Sequence, residues 1–208
     1  MKHDSKIWDR VASGYFKRPI ADPETYEEKL RLTREYLTSE MEVLEFGCGT
    51  GGTAIRHAPH VKHIHAVDIS SAMLEIAKEQ ARIAEAGNIT FERIDIADYQ
   101  AGSESYDVVL GMSILHLVED PAEIISRVHG WLKPGGVFVS STACLGDKMG
   151  WFRYVGPVGR MLGRLPYVKV FKASYLVDEI TRIGFQIETD WRPEGGPAVF
   201  IIARKARL

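Results

Sequence analysis

Four of the six residues at positions 47–52 are glycines, and they directly follow a short apolar run. This stretch is the part of the sequence best suited to bind a ligand. Residues 43–46 are typical of a buried parallel strand, and glycines follow at 47, 49, 51 and 52, where a helix should begin. Because glycine has no Cβ and tolerates positive φ, backbone N–H groups in such a turn can approach a ligand closely. The stretch therefore predicts a nucleotide-like site.

The glycine spacing fits two cofactor motifs. Gly47, Gly49 and Gly52 satisfy G-x-G-x-x-G, the dinucleotide pattern. Glu45 together with Gly47, Gly49 and Gly51 instead spells E-x-G-x-G-x-G. A pyrophosphate favours an uncluttered helix N-terminus, whereas a carboxylate two residues before the first glycine suits a cationic ligand. The glycines by themselves leave both interpretations open.

The second pattern resembles motif I of the class I S-adenosylmethionine-dependent methyltransferases, whose cofactor carries a sulfonium and an α-amino group. Later landmarks continue the resemblance in order and spacing. Asp68 ends a second strand 21 residues after Gly47, and a third strand is expected over residues 89–95. Residues 106–112 form a fourth strand, and a Lys-Pro-Gly-Gly turn at 133–136 precedes a fifth over 137–143. We therefore identify the chain as resembling the small single-domain members of this class.

The resemblance implies an α/β fold. We expect one methyltransferase domain over residues 1–208, built on a Rossmann-like, seven-stranded, mostly parallel sheet with helices on both faces. Two strands near 185–191 and 198–204, separated by a turn, predict a closing antiparallel hairpin. Residues 1–40 would form a helical lid, and the crevice would open where the first and fourth strands adjoin.

Two acids at strand ends have predicted roles in cofactor binding. Asp68 can accept hydrogen bonds from ribose hydroxyls, although an aspartate at this position can also cap the next helix, which Ser70 or Ser71 could do instead. By the resemblance, Asp95 faces the adenine amino group while the backbone of Ile96 serves the ring. The alternative for Asp95 is a solvated acid at the end of a strand.

The resemblance also assigns the other cofactor contacts by position. Residues 8–15 read Trp-Asp-x-x-Ala-x-x-Tyr and are similar to the N-terminal lid of many small members, where the tyrosine faces the cofactor; the alternative is a buried stripe on a packing helix. The full predicted set of cofactor-binding residues is Tyr15, Glu45, Gly47, Cys48, Gly49, Asp68, Ile69, Met73, Asp95, Ile96, Gly111 and Met112.

His116 is the candidate catalytic base. Its ordinary pKa lies near operating pH, which suits proton transfer. It stands between two leucines, however, and a histidine in that setting can equally be a satisfied core residue. We expect no metal, because the His, Cys and acidic positions show no ligand spacing. Cys48 and Cys144 form no disulfide framework, which favours a reducing compartment.

The net charge and the apolar runs of the sequence indicate which kinds of binding partner to expect. A net charge of −2 argues against general nucleic-acid binding, and no run approaches the roughly 18 apolar residues that span a bilayer. We therefore expect a cytoplasmic protein whose binding partner is a small molecule or lipid. The oligomeric state is left open.

Residues 145–173 form a basic aromatic insert that we expect over the acceptor site. Between 148 and 172 there are six cations and no acid: Lys148, Arg153, Arg160, Arg164, Lys169 and Lys172. Trp151, Tyr154, Val158, Met161, Leu162 and Leu165 trace one helical face. Pro157 is expected to kink or restart this helix. The insert is either a solvated basic face over a stripe that packs on the core, or an amphipathic lid that contacts an anionic membrane surface.

The predicted activity is methyl transfer from S-adenosylmethionine, leaving S-adenosylhomocysteine, by in-line displacement that depends mainly on alignment. The basic aromatic insert favours a small lipophilic or anionic acceptor of the quinone-precursor or lipid-headgroup type. Two alternatives stay open: a nicotinamide-dependent oxidoreductase that uses the glycines as a dinucleotide site, and a non-catalytic regulatory protein that binds the cofactor.

Overall fold

The structure is a computed structural model that describes residues 2–161, 163 and 165–207. The chain forms two compact units, the first running up to Gln100 and the second starting at Ala101. Leu162 and Arg164, which belong to the predicted apolar face and to the predicted set of cations, lie outside the described residues.

The first unit holds three parallel strands in the order β3-β2-β1. Two helices precede the first strand, as the sequence predicts. The elements are α1 Lys2–Lys17, α2 Pro23–Arg34, β1 Glu42–Phe46, α3 Gly52–His57, a 3-10 turn Ala58–His60, β2 His63–Asp68, α4 Ser71–Ile83 and β3 Ile89–Arg93. The core of this unit contains Leu44, Phe46 and Ile64, which are fully buried. The four consecutive buried residues of β1, 43–46, show that this strand is covered on both faces.

The second unit holds four strands in the order β4-β5-β7-β6. Strands β4 and β5 are parallel, whereas β7 pairs antiparallel with both β5 and β6. The elements are β4 Tyr106–Met112, a 3-10 turn Leu115–Leu117, α5 Pro121–Trp131, β5 Leu132–Ala143, α6 Leu145–Lys148, α7 Phe152–Met161, α8 Ala173–Ile183, β6 Phe185–Trp191 and β7 Ala198–Lys205. The expected C-terminal hairpin is therefore present.

The predicted fold class, a Rossmann-like seven-stranded mixed sheet, is confirmed. Helix starts follow from local chemistry that the sequence displays. Asp120 accepts hydrogen bonds from the N–H groups of Ala122 and Glu123, both at 3.1 Å, and Pro121 occupies the first helical position of α5. Ser70 caps α4 by accepting from the N–H of Met73 at 3.1 Å.

Two strand boundaries differ from the sequence-based expectation. Strand β3 ends at Arg93 and not at Asp95, because the Asp95 side chain accepts from Ala97 N–H at 3.0 Å and turns the chain. Strand β5 begins at Leu132 and includes the Lys-Pro-Gly-Gly segment, which lies in a register irregularity opposite β4.

Helix α7 corrects the expectation for Pro157 and bears on the two alternatives that the sequence left open for the insert. Pro157 lies inside the helix and does not restart it, and the apolar face is exposed and not packed on the core. A proline there deprives the carbonyl of Arg153 of its intrahelical partner. Arg153 is exposed, so water can satisfy that carbonyl. No described helix is long and apolar enough to cross a membrane.

His57, at the end of α3, is buried with both ring nitrogens unpartnered among the described residues. Burial first, and the charges of Arg34 and His60 second, lower the pKa of His57 to about 4. Since the folded state holds this imidazole neutral, its contribution to stability is fully present above the unfolded pKa near 6.5 and is lost as pH falls towards 4.

We therefore predict that His57→Gln makes the free energy of unfolding less dependent on acid. Between pH 7 and pH 4 the wild type should lose on the order of 3 kcal/mol more than the variant. Urea unfolding at several pH values measures this difference. The exposed His60→Gln is the matched control and should keep most of the wild-type pH dependence, because the charge of His60 is the smallest of the three causes that lower the pKa of His57. Identical pH profiles for wild type and His57→Gln would contradict the prediction.

Candidate functional site

The glycine turn lies between β1 and α3, and its backbone adopts left-handed conformations. Gly47, Gly49 and Gly51 have φ angles of 66°, 54° and 78°, a backbone conformation that residues other than glycine rarely adopt. The N–H of Cys48 donates to the Val67 carbonyl at 3.1 Å, which ties the turn to β2. A Cβ added to Gly49 would meet nothing within 4 Å. The turn is thus held by backbone bonds and is open beside Gly49.

Asp68, at the end of β2, connects the glycine turn to the start of α4. One carboxylate oxygen accepts from Gly49 N–H at 2.9 Å and the other from Ser70 N–H at 2.8 Å. Burial raises the pKa of Asp68 above its usual value, and hydrogen bonds from Ser70, Gly49 and Ile69 oppose that rise. A carboxylate can accept about four hydrogen bonds. Asp68 therefore retains capacity for ribose hydroxyls.

Glu45 is a buried acid in β1 whose pKa is strongly raised. It is 2% exposed, and its Oε2 atom is buried without a hydrogen-bond partner among the described residues. Burial, and then the charge of Asp68, raise the pKa of Glu45 to about 8, while a hydrogen bond from Ala54 N–H opposes the rise. A buried carboxylate with an orphaned oxygen is costly unless a cation or donor satisfies it. This position fits a cationic group such as a sulfonium or an ammonium.

The N-terminal helix is attached to this region by a residue to which the sequence analysis gave no role. Asp9 Oδ1 accepts from Ser70 Oγ at 2.7 Å and from Ala72 N–H at 3.1 Å, both at the start of α4. The predicted cofactor contact Tyr15, further along α1, is 51% exposed. The Trp-Asp-x-x-Ala motif marks Asp9, but nothing local in the sequence reveals a partner 61 residues away.

The remaining predicted residues of the first unit surround the ends of β2 and β3. Ile94 N–H donates to the Asp68 carbonyl at 3.1 Å, which brings the adjoining Asp95 beside the end of β2. Ile96 is buried, Ile69 is half-buried, and Met73 is buried in the first turn of α4. Cys48 is also buried, and burial raises the pKa of its thiol well above the usual value.

The other predicted residues belong to the second unit. Gly111 is buried and Met112 half-buried at the end of β4, opposite Ser140 and Ser141 of β5. His116 lies in the short turn that follows, and its carbonyl accepts from Lys169 N–H at 2.8 Å.

His116 is neutral at physiological pH. Burial lowers its pKa to about 4, and Nδ1 is buried without a partner among the described residues. An imidazole with so low a pKa is unprotonated but is a weaker base than an ordinary histidine. Within the described part of the chain, no group of three or more His, Cys, Asp or Glu side chains is arranged to hold a metal.

Known methyltransferases are similar to this chain in sequence. A family model described as a methyltransferase domain matches residues 43–136, from β1 into β5. The chain is 31% identical over 154 residues to the ubiquinone biosynthesis O-methyltransferase of Acinetobacter baylyi, covering 71% of this chain and 64% of that protein. It is 30% identical over 117 residues to phosphoethanolamine N-methyltransferase 2 of Caenorhabditis elegans, covering 55% of this chain and 27% of that protein.

A solved methyltransferase structure has the same fold as this chain. An S-adenosylmethionine-dependent methyltransferase from Mesorhizobium loti superposes with a TM-score of 0.67 at 21% identity, covering 86% of this chain and 96% of that one. The predicted resemblance to class I S-adenosylmethionine-dependent methyltransferases is confirmed, and the sequence matches support the predicted enzyme class and cofactor. The solved structure shows that the fold is shared. The chain spans less than two thirds of the length of both relatives named above, so their acceptors are properties of those proteins.

We predict opposite effects of Glu45→Gln on stability and on binding. Because the folded-state pKa of Glu45 is raised, its contribution to stability is fully present below pH 4.5 and is lost as pH rises towards 8. The variant should therefore be more stable than wild type at pH 8, by on the order of 2 kcal/mol. It should bind S-adenosylmethionine about tenfold more weakly, because the carboxylate no longer attracts a cation.

Urea unfolding and titration calorimetry measure the two effects. Glu42→Gln on the same strand is the matched control, since Glu42 forms a partly exposed ion pair with Lys62 at 2.8 Å. Such pairs contribute about 0 to 1 kcal/mol, and cofactor affinity should not change. Wild-type affinity in Glu45→Gln would contradict the assignment of Glu45 to the cationic part of the cofactor.

Proposed function

We propose that this protein transfers the methyl group of S-adenosylmethionine to a small lipophilic or anionic acceptor, of the quinone-precursor or lipid-headgroup type. The proposal has two parts with separate support. The binding of the methyl donor depends on the first unit, and the choice of acceptor depends on the basic aromatic insert. When bound, the cofactor supplies a methyl group on a positively charged sulfur that a nucleophile can attack.

The observation that carries the proposal is the buried, unpartnered carboxylate oxygen of Glu45. A dinucleotide would bring phosphates towards this turn, and negatively charged phosphates cannot supply the countercharge that lets the buried Glu45 ionise. A ligand that carries a sulfonium and an ammonium would instead supply the missing countercharge. The nicotinamide alternative is disfavoured on this ground, and the family match also favours methyl transfer.

Residues near the glycine turn would orient the donor. We assign the ribose hydroxyls to Asp68, whose carboxylate is already fixed by the N–H groups of Gly49 and Ser70. We assign the adenine amino group to Asp95, which is held beside the end of β2. Fixed acceptors lose little freedom when the ligand binds, and alignment of donor and acceptor is the main requirement of the reaction.

The character of the insert supports a lipophilic or anionic acceptor. Helix α7 buries none of its residues, and large apolar side chains nearby are exposed: Trp151 57%, Tyr154 75%, Val158 53% and Met161 79%. Arg153 is also exposed, and Arg160 stacks over the Tyr167 ring at 4.8 Å. A helix with an exposed apolar face and accompanying cations is typical of segments that lie at an anionic membrane surface. We propose peripheral membrane contact through residues 148–172.

Incubation with S-adenosylmethionine labelled in its methyl group tests the proposed activity. The acceptors offered should be a prenylated catechol, phosphoethanolamine, dispersed phosphatidylethanolamine and a metabolite extract. We expect label in a lipophilic or anionic small molecule, with S-adenosylhomocysteine formed in equal amount. Tight cofactor binding without transfer to any of these would overturn the proposal and favour the regulatory alternative.

We predict that His116→Gln lowers kcat by about a hundredfold or more while leaving the affinity for S-adenosylmethionine unchanged, if the acceptor must lose a proton. Because the pKa of His116 is about 4, wild-type kcat should not fall between pH 8 and pH 6 through protonation of this residue. Steady-state kinetics over that range measure both effects, with the exposed His60→Gln as control. Unchanged turnover in His116→Gln would exclude the residue as the base.

We predict that the protein binds vesicles containing phosphatidylglycerol, that salt weakens this binding, and that pure phosphatidylcholine vesicles bind poorly. The double variant Arg153→Gln with Met161→Ser should bind the anionic vesicles at least about tenfold more weakly, because it loses one cation and one exposed apolar side chain. Flotation measures the bound fraction.

The matched control is Arg82→Gln with Ile83→Ser, which removes a cation and a 61% exposed isoleucine from α4. It should float like wild type. Absence of wild-type flotation with anionic vesicles, or equal losses in both double variants, would count against membrane contact through the insert.

A further inference from the structure

We propose that Asp9 is a positioning residue for the cofactor site: by capping helix α4, it holds the N-terminal helix α1 beside the acid that binds the ribose. This inference rests on the proposed function, because it assigns Asp68 to the cofactor. It adds a residue from the N-terminal lid to a set of contacts otherwise supplied by strand ends and the glycine turn.

Hydrogen bonds converge on one oxygen of Asp9. Oδ1 accepts from Ser70 Oγ at 2.7 Å, from Ala72 N–H at 3.1 Å and, more weakly, from Ser71 Oγ at 3.4 Å. The Ser70 hydroxyl also accepts from Met73 N–H at 3.1 Å, so it donates on one side and accepts on the other. The N-terminus of α4 is therefore capped jointly by its own serine and by an aspartate from another helix.

The electrostatics of this contact favour the charged form of Asp9. Burial by itself would raise the pKa of Asp9, but hydrogen bonds from Ser70, Ala72 and Ser71 lower it below the usual value. A negative charge at a helix N-terminus also interacts favourably with the helix dipole. The attachment of α1 is consequently intact at neutral pH and does not depend on a proton.

Asp9 shares the docking of α1 with other residues, among them the buried Asp4 and the half-buried Trp8. Ile7 and Ala12 are its buried apolar residues in the described part of the chain, whereas Val11, Tyr15 and Phe16 are 36%, 51% and 44% exposed. A helix that buries so little apolar surface gains only a small hydrophobic stabilisation on docking. Charge-assisted hydrogen bonds of the kind made by Asp9 are among the stronger polar contacts, so we infer that Asp9 contributes measurably to docking α1.

The contact continues directly into the cofactor site. Ser70 donates its hydroxyl to Asp9 and its backbone N–H to Asp68, and Asp68 in turn accepts from Gly49. Undocking of α1 would remove the hydrogen bond from Ser70 Oγ to Asp9, next to the acid that binds the ribose. It would also move Tyr15 away from the cofactor site. If only a fraction of molecules has α1 docked, the apparent cofactor affinity falls by that fraction.

Asp9→Ala and Asp9→Asn test this role, with S-adenosylhomocysteine as the probe. We expect Asp9→Ala to weaken binding about tenfold to a hundredfold, corresponding to loss of a charge-assisted contact. Asp9→Asn should lose less, because its amide oxygen can still accept from Ser70 and Ala72. In turnover, Asp9→Ala should raise KM for S-adenosylmethionine while kcat at saturation changes little. Amide exchange should accelerate across α1 in the free variant.

Asp22→Ala is the matched control, since it removes a cap from another helix of the same unit. Asp22 accepts from Thr25 N–H at 2.9 Å at the start of α2. This variant should lose stability to a similar extent and keep wild-type affinity for S-adenosylhomocysteine. If Asp9→Ala does not fold, Asp9→Asn carries the test.

The outcomes separate this inference from the proposed function. Wild-type affinity in Asp9→Ala, or unchanged exchange across α1 in both Asp9 variants, would overturn the inference and leave the proposed function standing. Failure of the wild type itself to bind S-adenosylhomocysteine would overturn the proposed function. In that case exchange across α1 in the ligand-free variants still decides whether Asp9 holds the helix.

Discussion

The burial of one acid, Glu45, close to the half-buried acid Asp68 is the constraint around which the first unit is arranged. Asp68 is stabilised by backbone N–H groups of Gly49 and Ser70, whereas one oxygen of Glu45 has no partner among the described residues. The fold therefore holds Glu45 in its protonated form, with a pKa of about 8, until a positive charge arrives. An acid buried without a partner lowers the free energy of unfolding above neutral pH, and such locally unfavourable groups are common at functional sites. In the proposed function, a cationic ligand would stabilise the charged form of Glu45.

The N-terminus of α4 is the point where this arrangement is connected to the rest of the unit. Its capping residue Ser70 touches both Asp68 and Asp9, so the strand end, the helix start and the N-terminal helix share one set of hydrogen bonds. Hydrogen-bond networks of this kind rigidify their surroundings, because they restrict the orientation of each group. A ligand that binds to such a site finds its acceptors already in place.

The second unit combines a regular strand framework with a variable surface. Residues 136–142 of β5 and 199–203 of β7 are buried, while α7 exposes most of its large apolar side chains. Loops and inserted helices on a rigid scaffold are where related enzymes differ in specificity, since changes there do not disturb the core. The proposed function accordingly assigns acceptor choice to the insert, and the comparisons at about 30% identity do not identify the acceptor.

Local chemistry was readable from the sequence by itself: the strand-glycine-helix turn at Glu45 to Gly52, the Asp120-Pro121 helix start and the closing hairpin all depend on neighbouring residues. The class of protein followed from the order of these signals. The partner of Asp9, the protonation of Glu45 and the exposed face of α7 were decided only by the tertiary structure. The physical reason is that hydrogen bonds across 61 residues, and the desolvation that shifts a pKa, depend on which segments pack together, and no short stretch of sequence specifies that.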